Sequence, residues 1–231
     1  MKKKVELIGF YGSDETIALA AWTSTSRELN PNKIERIPKM IETLYKDGHK
    51  TPFERGIVHF IVEADIASHI HLIKHRHIGT NGESARYKEL KEDKYYLPED
   101  WKNITNKKCI EEMFGYNEIP NDSYSWLEIL EEHTKKSNKL YHQCLEDLTP
   151  ILGRKRAKES ARYFKTYNST ITTDVIMNMS CFDNFYQLRH SDKAQIEIKT
   201  IANEMMVCLE NIENNPFKTT LQLIKNKNER N

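Results

Sequence analysis

The residues best equipped for chemistry lie together in one stretch: Lys74-His75-Arg76-His77-Ile78-Gly79-Thr80-Asn81-Gly82-Glu83-Ser84-Ala85-Arg86-Tyr87. Cations and imidazoles at the end of a predicted helix run into a polar, glycine-containing loop that returns with Ser, Arg and Tyr. Backbone amides, a hydroxyl and guanidinium forks in that order suit an anionic ligand, and arginine suits phosphate best. Taken alone, the pattern says only "phosphate-bearing ligand", and a solvated basic helix end fits it equally well. His69, His71, His75 and His77 crowd the same segment. His71 and His75 form an i, i+4 pair of the kind that binds zinc, but a His-Glu-x-x-His arrangement is missing and no metal is expected.

Composition narrows the partners. The chain has 231 residues, 35 Lys and Arg against 34 Asp and Glu, and a formal net charge of +1. That balance gives no global pull toward nucleic acid, and the basic run Gly153-Arg154-Lys155-Arg156-Ala157-Lys158 reads as the solvated start of a helix. No apolar stretch approaches a membrane span, so no membrane role is expected. The four cysteines (Cys109, Cys144, Cys181, Cys208) contain no Cys-x-x-Cys pair, which argues against a disulfide framework and for a reducing, cytoplasmic setting. Cys181 alone stands near the chemistry-bearing segments and is the one candidate thiolate nucleophile. A Gly-x-Gly-x-x-Gly fingerprint is missing, so a Rossmann-type dinucleotide site is not expected.

With three further segments, the stretch resembles the flavin-dependent thymidylate synthases. Their Arg-His-Arg signature, followed by seven residues and Ser and continuing to Arg-Tyr, is matched by His75, Arg76, Asn81, Ser84, Arg86 and Tyr87. Gly48-His49-Lys50-Thr51-Pro52-Phe53-Glu54 looks like the family's Gly-His-x-Thr-Pro-Phe-Glu. Glu159-Ser160-Ala161-Arg162 resembles its Glu-x-Ala-Arg helix. Asn184-Phe185-Tyr186-Gln187-Leu188-Arg189 with Ala194-Gln195-Ile196-Glu197 is similar to its Asn-x-x-x-Leu-Arg and Ala-Gln-x-Glu block.

The resemblance implies reductive methylation of dUMP at C5 to give dTMP, with FAD as cofactor and methylenetetrahydrofolate and NADPH as co-substrates. It implies that His49, Thr51, Glu54, Lys74, His75, Arg76, Asn81, Asn178 and Asn184 contact the flavin. His71, Ser84, Arg86, Arg162 and Arg189 would hold the nucleotide, and Arg189 would stabilise charge as the pyrimidine N3 ionises. It also implies a homotetramer with shared active sites. Against the family pattern, Lys74 replaces an arginine, Gly79 a serine and Gly82 an acidic residue. His71 stands for a glutamine, Ser180 for an arginine and Lys193 for a histidine, and Tyr163-Phe164 replaces Leu-Pro. These departures keep two alternatives in view: a different pyrimidine nucleotide (dCMP or UMP), and a non-catalytic nucleotide-binding homologue.

The elements that must position these residues follow from periodicity. Residues 4–10 and 56–63 read as strands. Helices are expected from Asp14 to about Ser26, around Ile37–Tyr45 with Gly48 as C-cap, from Ile66 to Ile73, and over about 122–148, 154–166 and 198–212. Residues 79–87 read as a loop. The five residues Glu-Ser-Ala-Arg-Tyr occur at both 83–87 and 159–163, without repetition of their flanks. The expected fold is α+β: a single helix-rich domain over residues 1–222 around a small, mainly antiparallel sheet, the fold of the family it resembles, with a flexible tail at 223–231.

Overall fold

The computed structural model describes residues 5–26, 28–84, 86, 87, 89, 93–104 and 125–227. The chain divides into two compact units: Met1–Ala64, Ser68–Gly82 and Thr172–Asn231 form one, and Asp65–Ala67 with Glu83–Ile171 the other.

The first unit is built on a four-stranded sheet. Strands β1 (Val5–Tyr11), β2 (Ile57–Asp65), β3 (Ile78–Gly82) and β4 (Thr170–Asn178) lie in the order β1-β2-β4-β3. β1 pairs antiparallel with β2, and β3 with β4. Hydrogen bonds from Met179 N to the Gly56 carbonyl (2.8 Å) and from Ile66 N to the Ser169 carbonyl (3.0 Å) set β2 and β4 antiparallel as well. Side chains alternate as a half-buried sheet requires: Val58, Phe60, Val62 and Ala64 of β2, and Val175 and Met177 of β4, are buried. Helices α1 (Asp14–Trp22), α2 (Pro31–Glu35), α3 (Ile37–Lys46) and α4 (Ile66–Ile73) follow the first strands. Ile17, Ala18 and Trp22 of α1, Ile37, Ile41 and Leu44 of α3, and Leu72 of α4 enter the same core.

In the second unit, α5 (Trp126–Leu152) starts on a Ser125–Glu128 capping box and ends at Gly153, whose φ of 75° is open to glycine without strain. Helix α6 (Arg154–Ala161) turns back on it, and Tyr141, Leu145, Ala157 and Ala161 form a small core of their own. The first unit is completed by α7 (Met179–His190), α8 (Ile196–Glu210) and α9 (Lys218–Asn226).

Three sequence expectations need correction. The loop expected at 79–87 begins as strand β3, because Ile78–Gly82 find hydrogen-bonding partners along Met177–Thr173. Helix 154–166 stops at Ala161 and gives way to a 3-10 turn over Arg162–Phe164. The tail expected from 223 is helical to Asn226, with Ile224 buried. The N-cap position of α9 is Phe217, whose side chain makes no capping bond, and Asp14 supplies the acceptor from a distance. Its carboxylate accepts from Thr219 N (2.8 Å), Thr220 N (3.2 Å) and Thr220 Oγ1 (2.6 Å). Finally, the long helix expected from 122 is observed from Trp126 to Leu152, and residues 122–124, like Cys109, lie outside the described residues.

Candidate active site

All nine residues assigned to flavin belong to the first unit, and three local structures carry them. The first is the segment after α3. Gly48, at φ 74°, donates to the Tyr45 carbonyl (3.3 Å) while His49 N donates to the Leu44 carbonyl (2.9 Å), the paired bonds of a glycine-terminated helix. Thr51–Arg55 then form a 3-10 turn whose Phe53 is buried and meets the Tyr45 ring edge-on at 5.9 Å. His49, Thr51 and Glu54 are left exposed on this segment, and the Glu54 carboxylate lies 3.9 Å from Arg55 Nη1.

The second structure is the turn between α4 and β3. Leu72 is buried and fixes the helix end, His75 N donates to its carbonyl (3.3 Å), and His77 takes a φ of 61° to swing the chain into β3. Lys74 and Arg76 stand exposed, without an ion pair among the described residues. Asn81, exposed on β3, lies opposite Asp174 of β4.

Helix α7 is the third. Asn178 is its N-cap, its Oδ1 accepting from Cys181 N at 2.8 Å, which fixes the side chain. Asn184 is exposed further along the helix. Near its end, Arg189 Nε donates to His75 Nε2 at 3.0 Å, and the His75 ring rests edge-on against Phe185 at 5.0 Å. Burial, then the Arg189 charge, then His71 push the His75 pKa down from 6.5 to about 4. His75 is therefore a neutral acceptor at pH 7, and holds Arg189 by one nitrogen while the rest of the guanidinium stays available. Arg189 has no carboxylate partner among the described residues.

Cys181 does not have the environment of a nucleophile. Burial pushes its thiol above the ordinary range, outweighing the hydrogen bonds that favour the thiolate. No three His, Cys, Asp or Glu side chains among the described residues are arranged to hold a metal ion.

Of the residues assigned to the nucleotide, His71 and Arg189 belong to the first unit; Ser84, Arg86 and Arg162 belong to the second. Arg86 Nε donates to Glu159 Oε1 of α6 at 2.9 Å, which draws the Glu159 carboxyl below its usual range. Ser84 Oγ accepts from Arg86 N at 3.3 Å. Lys158 Nζ donates to the Tyr87 carbonyl (2.9 Å), and Arg154 Nη2 to Glu89 Oε2 (2.5 Å). Arg86, Tyr87 and Glu89 are thus laced to α6. Arg162, the C-cap of that helix, is exposed and has no ion pair among the described residues.

Two departures from the family pattern have a structural reading. A β-carbon at Gly79 would come within 2.7 Å of Ile176 Cγ2 on β4, so the isoleucine occupies the room a serine there would need. A β-carbon at Gly82 would meet only Thr173 Oγ1 at 3.4 Å and His69 Cε1 at 3.8 Å, which are ordinary contacts. Sequence reasoning did not find Glu159 as the partner of Arg86, nor Lys50 and Asp183, which pair beneath the His49 segment. The signal for Glu159 was its place in the Glu-x-Ala-Arg string; nothing in the sequence marked the other two.

The model of a family described as thymidylate synthase complementing protein matches residues 6–212. The chain belongs to the flavin-dependent thymidylate synthase family. Among curated relatives, the flavin-dependent thymidylate synthase of Pseudothermotoga lettingae is 31% identical over 201 residues, spanning 86% of this chain and 80% of the relative. That of Rickettsia bellii is 30% identical, spanning 87% of this chain and 70% of its own. A solved structure of the UMP/dUMP methylase PolB from Streptomyces cacaoi, bound with 5-Br UMP, superposes with a TM-score of 0.71 over 95% of this chain and 92% of its own. At 23% identity that likeness establishes the fold of the flavin-dependent thymidylate synthases, a helix-rich α+β architecture around a small antiparallel sheet.

Proposed function

We propose that the protein methylates C5 of a pyrimidine nucleotide reductively, with dUMP as substrate, dTMP as product, FAD as cofactor, methylenetetrahydrofolate as carbon donor and NADPH as reductant. The observation that carries this reading is Arg189, fixed through Nε by a neutral imidazole and without a carboxylate partner among the described residues. A cation held so stabilises negative charge developing at N3 of the pyrimidine, and an ionised N3 pushes electron density to C5. The ring becomes a nucleophile without an enzyme thiolate, in keeping with the raised Cys181.

The residues at hand suit a flavin dinucleotide. Lys74 and Arg76 are exposed cations without ion pairs among the described residues, fit for a diphosphate. The amides of Asn81, Asn178 and Asn184 and the hydroxyl of Thr51 are groups that read a ring edge or a ribose. A reduced flavin brings hydride chemistry, which no side chain supplies. The protein's part is to bind, to orient, and to keep Arg189 charged and His75 neutral. Ser84, Arg86 and Arg162 hold the nucleotide; Arg86 is pre-set by Glu159, and Arg162 is free to meet phosphate. In the proposed homotetramer each active site draws residues from more than one subunit.

A ribonucleotide or dCMP is the second reading. Gly82 stands where the family carries an acidic residue, and a side chain there would meet Thr173 and His69 only at ordinary contact distances. Purified protein titrated with FAD, then supplied with both co-substrates and each of dUMP, UMP and dCMP, tests both readings by mass spectrometry. A gain of one methyl on dUMP is expected. Methylation of UMP or dCMP alone would replace the substrate, and protein that takes up no flavin and modifies none of the three would overturn the proposal.

A further inference from the structure

Lys50 stands at the unspecified position of the Gly-His-x-Thr-Pro-Phe-Glu string, between His49 and Thr51. Its ammonium nonetheless reaches the carboxylate of Asp183, whose side chain is only 4% exposed, and pairs with Oδ2. Asp183 Oδ1 accepts from Tyr45 OH at 2.8 Å and from Gln187 Nε2 at 3.0 Å. Gln187 in turn donates to the Ile224 carbonyl of α9 at 2.7 Å. Burial and the Asp183 charge raise the Tyr45 phenol well above its ordinary range, so it is a fixed donor at every physiological pH. Lys50 Nζ also stands 5.2 Å from the Tyr45 ring centroid.

The geometry joins two of the three structures assigned to flavin. Asp183 neighbours Asn184 on α7, the helix that ends in Arg189; Lys50 lies inside the segment carrying His49, Thr51 and Glu54. That segment is anchored at one end by the Gly48 turn and further on by buried Phe53. Between those anchors, the bond to Asp183 ties the segment to α7 through a side chain. A carboxylate buried to this degree is costly unless it is paired and hydrogen-bonded, and all three of its partners are supplied here.

We propose that Asp183 and Lys50 are positioning residues: a buried carboxylate paired with a partly exposed lysine, which holds His49, Thr51 and Glu54 in register with Asn184 and Arg189 for flavin binding. The proposal rests on the flavin reading above and adds to it a determinant of cofactor affinity that touches no cofactor. The outer partners of ligand-holding side chains are worth roughly tenfold or more in affinity where this has been measured at metal sites, and a similar loss is expected here.

The test uses the full chain with Lys50→Met, Lys50→Arg and the double variant Lys50→Met with Asp183→Asn. FAD affinity is read by fluorescence titration, and amide exchange over residues 48–56 is read without flavin. Lys50→Met is expected to raise the FAD Kd about tenfold and to speed exchange at Phe53 and Gly56, while Lys50→Arg restores both. The double variant, which leaves no unpaired buried charge, is expected to recover the wild-type melting temperature while its FAD Kd stays raised. Affinity that recovers together with melting temperature would make the pair merely structural and overturn the proposal. So would Lys50→Met with unchanged exchange but weaker FAD, which would make Lys50 a direct ligand. If wild-type protein takes up no FAD, the flavin reading fails. The exchange comparison still decides whether the pair orders the segment.

Discussion

Two segments of this chain, each proposed to carry ligand residues, are held in different ways. Residues 48–55 are anchored by a left-handed glycine turn, a buried phenylalanine and a carboxylate only 4% exposed; Arg86 and Glu89 are tied to α6 by ion pairs whose arginines are 46% and 61% exposed and whose carboxylates are each 18% exposed. Buried anchors fix a geometry at the cost of tolerating little change, whereas exposed ion pairs contribute little energy and rearrange easily. The contrast matches the proposed roles. A cofactor that stays bound through many turnovers needs a rigid seat, and a nucleotide that enters and leaves each turnover needs a yielding one.

The largest break in that contrast is Phe53→Ala. It empties a fully packed site in the anchored segment and is expected to cost roughly 3–5 kcal/mol of stability by chemical denaturation. Next is Gly79→Ser, which restores the family residue but drives a side chain into Ile176 Cγ2. A loss of roughly 1–3 kcal/mol is expected, and adding Ile176→Ala should return most of it; a stable single variant would mean that β3 shifts freely. On the laced segment, Arg154→Ala removes the pair with Glu89 and is expected to cost under about 1 kcal/mol. Its effect should fall instead on the KM for nucleotide, with kcat little changed, in steady-state assays.

A further expected effect is a pH dependence at His75. Its pKa is about 4 in the folded protein against 6.5 ordinarily, so between those values the unfolded chain binds the extra proton. The stability from keeping it neutral is complete above 6.5 and is lost as the pH falls toward 4. Melting temperatures of wild type and His75→Gln should therefore converge on acidification across that window. A constant difference would contradict the neutral imidazole.

Much of this was legible in the sequence, and the failures have physical causes. The alternation of Val58, Phe60 and Val62 announced β2, and the Ile37–Leu44 stripe with Gly48 announced α3 and its cap. Strand β3 was hidden because its two glycines and polar residues carry no strand propensity; it exists because β4 offers a hydrogen-bonding edge. Helix α9 was missed because its cap comes from Asp14, far away in sequence. The string Glu-Ser-Ala-Arg-Tyr shows the limit of local reading. At 159–161 it closes a helix, whereas residues 83, 84, 86 and 87 lie outside helix and strand, and the Arg of one copy pairs with the Glu of the other. Arg189 and His75 were both singled out by type and spacing, and the fold brings them into a hydrogen bond. What stayed invisible were the supports, Asp183 and Glu159, whose partners only the fold brings near.

The central claim is that Arg189 activates the pyrimidine ring for methylation at C5. Tritium release from C5-labelled dUMP, with FAD, NADPH and methylenetetrahydrofolate present, tests it most directly. Steady release by wild type and a fall of at least about a hundredfold in Arg189→Ala are expected. Equal release by the two proteins would contradict the account.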